Sequence, residues 1–335
     1  MLVCCACGNT GRLQRFSATF FDVFDTVSTV TAYDTDQAAF DSHLEQLHQK
    51  LEDYHKLYDI YNSYGDLVNI KTLNEEAGKA PMAVDGRIIN LLEFGKEVYS
   101  LSGGKTNICF GAVLSIWHNY REQGINNPEA ARLPDMRELE AAAEHTDIND
   151  LIIDRENSTV FFADPDLKLD VGAIAKGYAV REICRWAQEK LWNSALINIG
   201  GNVCAIGYKS DNGKTLWNIG IENPDKAGND YLEIVSVAGL SAVTSGDYQR
   251  YYTVNGRQYC HIIDPETLMP AEYASSVTVI CDDSALGDAL STTLFNMPVK
   301  DGMKLVEDMQ GVEALWADKE FKKYYSSGFG SYINN

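Results

Sequence analysis

The sequence predicts an α+β fold, a single domain with a mixed sheet core and packed helices. Three observations lead there. Strand-like and helix-like segments are interleaved without the regular alternation that a doubly wound parallel sheet requires. Of 335 residues, 45% are apolar, 10% aromatic and 23% charged, so a sizeable core can form. No composition break or internal repeat marks a boundary, so residues 17–330 read as one domain behind a tail at 1–16.

The elements follow in order. Residues 8–17 read as a polar linker. Residues 20–33 are β-branched and aromatic with partial alternation, which predicts a strand or hairpin. Across 36–59, Leu44, Leu47, Leu51, Tyr54, Leu57 and Tyr58 recur at helical spacing. A second helix starts at Asp85, runs through Ile88, Leu91, Leu92, Val98 and Tyr99, and stops at Gly103-Gly104. Residues 126–134 form a loop and 135–144 a short amphipathic helix. Residues 151–154 and 160–162 flank Glu156-Asn157-Ser158 as a hairpin. A strand at 167–170, a helix over 173–190 and a strand at 195–199 come next. Segments 251–254 and 258–263 meet at Asn255-Gly256, a strong hairpin signal. A strand at 276–280 precedes a helix that Ser284 caps and that ends near Phe295.

The formal net charge is −20, which repels phosphate backbones and anionic lipids and excludes nucleic-acid binding as a default function. No apolar run is long enough to cross a bilayer, which leaves a lipid anchor as the expected route to a membrane. The start, Met1-Leu2-Val3-Cys4-Cys5-Ala6-Cys7, resembles the end of a bacterial lipoprotein signal, with Cys7 or Cys4 as the lipidated residue. That reading places the protein outside the cytoplasm; a plain cysteine-rich tail would leave it in the cytoplasm. Cys109, Cys184, Cys204, Cys260 and Cys281 are scattered and read as small buried hydrophobes.

Four segments can carry chemistry. Asp170-Val171-Gly172-Ala173-Ile174-Ala175-Lys176-Gly177 is a small-residue turn opening a helix, where amides and Lys176 favour an anion; a tight packing turn reads the same way. Asn198-Ile199-Gly200-Gly201-Asn202 reads first as a turn. Thr244-Ser245-Gly246-Asp247-Tyr248 precedes Cys260-His261-Ile262-Ile263-Asp264-Pro265, in which His261 is a candidate general base or phosphate partner, although a lone strand-end histidine is more often structural. In Gly287-Asp288-Ala289-Leu290-Ser291-Thr292, Asp288 and Thr292 share a helix face and offer hard oxygens suited to Mg²⁺.

In this order and spacing the segments resemble the ApbE-like FAD:protein FMN transferases, from about Phe20 to at least Met297. The resemblance implies an α+β domain related to T-fold-like sheets. It implies an Mg²⁺-dependent enzyme that takes FAD as substrate, transfers FMN through a phosphoester to Ser or Thr of another protein, and releases AMP. The acceptor would carry an Asp-Gly-x-Ser/Thr-Gly-Ala-Ser/Thr signature, which this chain lacks. Carried over by position, Asp170 and Lys176 contact FAD. The Ala173 carbonyl, Asp288 and Thr292 hold the metal. Phe24, Tyr61, Cys109, Phe110, Gly111 and the Ile263 backbone line the cofactor, and His261 or Asp247 takes the proton of the attacking hydroxyl. Asn107 stands where similar proteins often have Asp, Gly111-Ala112 where Gly-Pro is common, and Leu268 where Gly is frequent. Two other activities fit the same residues: an FAD pyrophosphatase with water as acceptor, and an FAD-binding surface protein without turnover.

Overall fold

The computed structural model describes residues 13–209 and 214–334; the cysteine-rich start, with its lipidation reading, lies outside them. The chain opens with β1 (Gln14–Phe20), β2 (Ser28–Asp34), α1 (Gln37–Tyr58) and α2 (Ile70–Glu75). Next come β3 (Met82–Ala83), α3 (Gly86–Leu101), α4 (Gly111–Asn126) and α5 (Met136–Ala143). The middle holds β4 (Leu151–Asp154), β5 (Thr159–Phe162), α6 (Ala175–Lys190), β6 (Ala195–Ile199) and β7 (Asn202–Ile206). Five strands follow: β8 (Trp217–Glu222), β9 (Tyr231–Val237), β10 (Ser241–Gly246), β11 (Tyr251–Val254) and β12 (Arg257–Cys260). The chain closes with β13 (Ser276–Cys281), α7 (Ser284–Phe295), α8 (Val299–Glu307), β14 (Glu313–Ala317) and β15 (Lys323–Tyr325).

An eight-stranded sheet ordered β1-β2-β6-β7-β10-β13-β14-β15 forms the core, with every neighbour antiparallel. One face packs on α1 and α6 through Phe40, Leu47, Leu51, Val180 and Ile183, and on α7 through Leu290 and Leu294. The β8–β9 hairpin covers the other face, with Trp217, Ile219 and Val235 against Val203, Ala242 and Ile280. Cover on both sides explains why all six residues of β13 are buried instead of alternating. A smaller layer, β3-β5-β4 with α2 and α3, packs around Leu91, Leu92, Leu151 and Phe162.

Most elements match the expectations. Asp36 caps α1 and Asp85 caps α3 through their carboxylates. Asn255 and Gly256 adopt φ 50° and 81°, the positive values of a two-residue hairpin turn. Three expectations need correction. Residues 14–17 belong to β1 and are not a linker, because Phe16, Ala18 and Phe20 alternate inward beneath the polar residues and Phe16 stacks on Phe40 with ring centroids 5.5 Å apart. Residues 167–170 make one parallel bridge, Phe110 to Lys168, and no strand. Their remaining amides go elsewhere: Leu169 N donates to Asn74 Oδ1 at 2.7 Å and Asp170 N to Ile108 O at 2.8 Å. The cap of α7 is Asp283, which accepts from Ala285 N at 2.8 Å and Leu286 N at 3.2 Å; a carboxylate at a helix N-terminus outcompetes the neighbouring Ser284 hydroxyl. Helix α4 was not foreseen at all.

The crossing of α6 over α7 depends on Gly177. A β-carbon there would sit 2.3 Å from Asp288 Cβ and 2.4 Å from Ser284 O, closer than atoms tolerate. The Gly177→Ala variant is therefore expected to lose about 1–3 kcal/mol of stability, the usual cost of overpacking a core. Chemical denaturation measures this, and a wild-type midpoint would contradict the close crossing.

Candidate functional site

A cavity of about 530 Å³ lies between the α6–α7 pair, α4 and the end of α1, within the size range of small-molecule sites. Its walls come from the 24–27 loop, the end of α1, the 105–107 segment, one face of α4, the turn at 170–176, Gly200, and the 244–250 and 261–265 segments facing α7.

The turn at 170–176 and α7 build one wall. In a continuing helix the Gly177 N–H would donate to the Ala173 carbonyl. It donates instead to Asp288 Oδ2 at 2.7 Å, and α6 begins only at Ala175. The Ala173 carbonyl is left outside the helical ladder, on the cavity wall with Asp288 and Thr292. Asp288 is 4% exposed, and burial raises its pKa against the opposing pull of Lys176, the Gly177 N–H and Asn202. Asn202 Oδ1 is itself buried without a partner among the described residues. A buried carboxylate, a free carbonyl and a hydroxyl on one wall suit a hard divalent cation, so the residues present fit Mg²⁺. Ser245 braces the site: its Oγ lies 2.7 Å from Ser291 Oγ and 3.4 Å from Thr292 Oγ1. Asp170 is also on the wall. Its pKa is raised by burial, and its Oδ1 accepts from Gly172 N at 2.9 Å.

His261 lies deep in the molecule with one face open to the cavity. Its Nδ1 is 3.1 Å from the Arg250 carbonyl, which can only accept, so Nδ1 carries the hydrogen and Nε2 is left with a free lone pair. Burial, then the charges of Arg250, Arg121 and Lys176, push its pKa down to about 3. The ring is neutral at pH 7. Arg121 donates to His118 Nδ1 at 2.7 Å, and His118 Nε2 faces Glu122 at 3.2 Å. Among the described residues neither Arg121 nor Arg250 pairs with a carboxylate of its own. In a chain of net charge −20, cations left unpaired beside a cavity point to an anionic ligand.

The structure brings Phe24, Tyr61, Phe110, Asp170, Ala173, Lys176, His261, Ile263, Asp288 and Thr292 to this one cavity. Three expected site residues are elsewhere. Asp247 points to Lys319, 2.6 Å away. Cys109 is fully buried in the apolar core, where burial pushes its thiol up to about 12. Gly111 is held by backbone contact: its N–H donates to Lys168 O at 3.0 Å, and a β-carbon would come within 2.5 Å of that oxygen. Sequence reasoning missed Arg121, His118 and Arg250. The signal for the first two was the 3-4 spacing of His118, Arg121 and Glu122. Asn107 has a structural reason: its Nδ2 donates to Thr146 O at 2.9 Å, which Asp could not do.

An antiparallel sheet with helices on one face carries a cavity that gathers cations beside a hard-oxygen set, an arrangement suited to an anionic ligand. Residues 24–316 match the ApbE family, and the chain belongs to that family. It is 31% identical over 96% of its length to an FAD:protein FMN transferase of Treponema pallidum, 90% of which is covered. It is 28% identical over 79% of its length to one from Klebsiella pneumoniae, 81% of which is covered. Among solved structures it resembles the ApbE protein of Thermotoga maritima (TM-score 0.83, 27% identity, 96% of this chain and 100% of that one). It also resembles the apo flavinyl transferase ApbE of Pseudomonas stutzeri (TM-score 0.80, 25% identity, 97% and 98%).

Two outcomes follow from the electrostatics. Asp288→Asn keeps an acceptor for Gly177 and removes a buried charge. The metal-free variant is expected to melt higher than wild type at pH 7, and to lose any rise in melting temperature that Mg²⁺ gives wild type; scanning calorimetry with and without Mg²⁺ reads both. His261 is held neutral in the folded state, so as pH falls from about 6.5 towards about 3 only the unfolded chain gains its proton, and stability is lost. His261→Gln should flatten the stability–pH curve in that window, and an unchanged slope would show that His261 is not the source.

Proposed function

We infer that this protein is an FAD:protein FMN transferase that uses Mg²⁺. It attaches FMN through a phosphoester to a Ser or Thr hydroxyl of another protein and releases AMP. The observation that carries the reading is one cavity in which the Ala173, Asp288 and Thr292 oxygens share space with the unprotonated Nε2 of His261.

The chain's own residues divide the work. Lys176, Arg121 and Arg250 neutralise the diphosphate of FAD. The acceptor hydroxyl attacks the FMN phosphorus, the bond from that phosphorus to the bridging oxygen breaks, and AMP leaves. His261 Nε2 takes the hydroxyl proton, and Arg250 O fixes the tautomer. Three of the forces that depress His261 are those same cations; diphosphate binding offsets them and moves the imidazole back towards a useful basicity. Ala173 O, Asp288 and Thr292 would hold Mg²⁺, which would supply further charge neutralisation.

The test mixes purified protein with FAD, Mg²⁺ and a small domain carrying Asp-Gly-x-Thr-Gly-Ala-Thr, followed by mass spectrometry. The expected outcome is an acceptor mass gain equal to FMN that disappears in Asp288→Ala. His261→Ala should bind FAD normally yet transfer at least about 100-fold more slowly. Free FMN and AMP with an unlabelled acceptor would replace this reading with a pyrophosphatase, and bound, intact FAD with a non-catalytic flavin protein.

A further inference from the structure

We propose that His55 is a positioning residue that locks two walls of the cavity, the 21–27 loop and the 59–64 turn, into the shape that receives a planar ring system of FAD. This rests on the FAD reading above for its ligand, but not for its geometry.

Of the chain's six histidines, four face carboxylates: His43 meets Asp34 at 2.7 Å, His48 meets Asp22 at 2.9 Å, His118 meets Glu122 at 3.2 Å and His145 meets Asp164 at 2.7 Å. His261 faces a carbonyl. His55 alone receives a main-chain amide: Phe24 N donates to its Nδ1 at 3.1 Å. That bond fixes every hydrogen beyond it. With Nδ1 accepting, the neutral ring carries its hydrogen on Nε2, which lies 3.2 Å from Tyr64 Oη. The Tyr64 hydroxyl then donates to Asp59 Oδ2 at 2.6 Å. Asp59 completes the chain by accepting Tyr61 N at 2.6 Å, Asn62 N at 3.0 Å and Asn62 Nδ2 at 3.0 Å. Burial would raise the Asp59 pKa, but these donors outweigh it and hold the carboxylate below its ordinary range.

The two ends of this chain are cavity walls. Phe24, His55, Asp59 and Tyr61 all line the cavity. Phe24 and Asp25 adopt φ 54° and 49°, two consecutive non-glycine residues in the left-handed region. Such backbone persists only where its surroundings impose it. Here the imposing contacts are the Nδ1 bond and the His55 ring, which meets the Phe24 ring edge-on with centroids 5.6 Å apart. Tyr61, at the other end, is 52% exposed and leans on His118 at 5.0 Å. A relay that sets Phe24 and Tyr61 together sets the spacing of two aromatic walls. FAD carries two planar aromatic ring systems, the isoalloxazine and the adenine, and a planar ring of this kind is what such walls recognise.

The experiment compares wild type with His55→Phe, which keeps a ring without an acceptor, and His55→Asn, whose Oδ1 can replace Nδ1. Tyr64→Phe serves as a milder break. FAD affinity is read by flavin fluorescence with Mg²⁺ present, and transfer kinetics are split into KM and kcat. His55→Phe is expected to raise the FAD Kd and KM about tenfold with kcat within about twofold, His55→Asn to restore most of the affinity, and Tyr64→Phe to act in the same direction more weakly. Wild-type affinity in His55→Phe, or equal defects in His55→Phe and His55→Asn, would overturn the proposal. Amide exchange of the 21–27 segment is measured in the same variants without ligand. Faster exchange in His55→Phe, reversed in His55→Asn, is expected; unchanged exchange overturns the proposal. Should wild type take up no FAD, the functional reading falls while this exchange result still decides the role of His55.

Discussion

The N–H of Gly177 donates to Asp288 and not to the Ala173 carbonyl that a regular helix would offer it, and this bond organises the centre of the molecule. Had it closed the first turn of α6, the Ala173 carbonyl would be spent on the helix and the Asp288 carboxylate would be buried without a backbone donor. By turning to Asp288 it ties α6 to α7 at 2.7 Å and releases one hard oxygen while holding another. The geometry works only because residue 177 has no β-carbon. A single backbone donor thus links the packing of the two helices that cover the sheet to the composition of the site above them.

Charge is distributed by the same logic. The surface is strongly acidic, yet the cavity gathers Lys176, Arg121 and Arg250, with the neutral His261 among them. Other basic residues near the cavity are already committed: Lys105 is paired with Asp264 at 3.1 Å beside the 265 turn, and Lys319 with Asp247. Cations with no carboxylate partner among the described residues cost stability in the empty protein, and a ligand with a diphosphate returns it. Depressed basicity at His261 and raised pKa values at Asp170 and Asp288 are two faces of one condition, a buried polar site whose charges are balanced only when it is filled.

The fold was legible where one element carried a complete local pattern. The 36–59 helix, the Asn255-Gly256 hairpin and the strand at 195–199 each had period, cap or turn in their own residues. It was illegible where the pattern was shared across distance. β1 shows only three inward residues among polar ones, and 167–170 satisfies its amides with Asn74 and Ile108 from other parts of the chain. The site divides in the same way. Asp170 to Gly177 and Asp288 to Thr292 are short blocks with their chemistry inside them. Arg121 sits in a helix with no side-chain cap at its start, so the reading passed over it. Asp247 was picked for its closeness to His261 in sequence, but β10 ends there and the carboxylate turns to Lys319.

Leu268 shows how a departure from a family pattern can be a local solution. Its φ of 59° is one that glycine would hold without strain. Leucine endures the left-handed backbone because its side chain, 9% exposed, joins the cluster of Val113, Trp117 and Tyr252, and because Trp117 Nε1 donates to its carbonyl at 2.9 Å. Burying such a side chain is worth about 1.5–3 kcal/mol, against about 1–3 kcal/mol for the strained backbone. The two nearly cancel in stability, but they do not cancel in consequence. A glycine there would free the turn after Asp264-Pro265, whereas leucine pins it to α4. Since α4 carries Arg121 and that turn follows His261, the leucine ties one of the cavity's cations to the segment that carries its base.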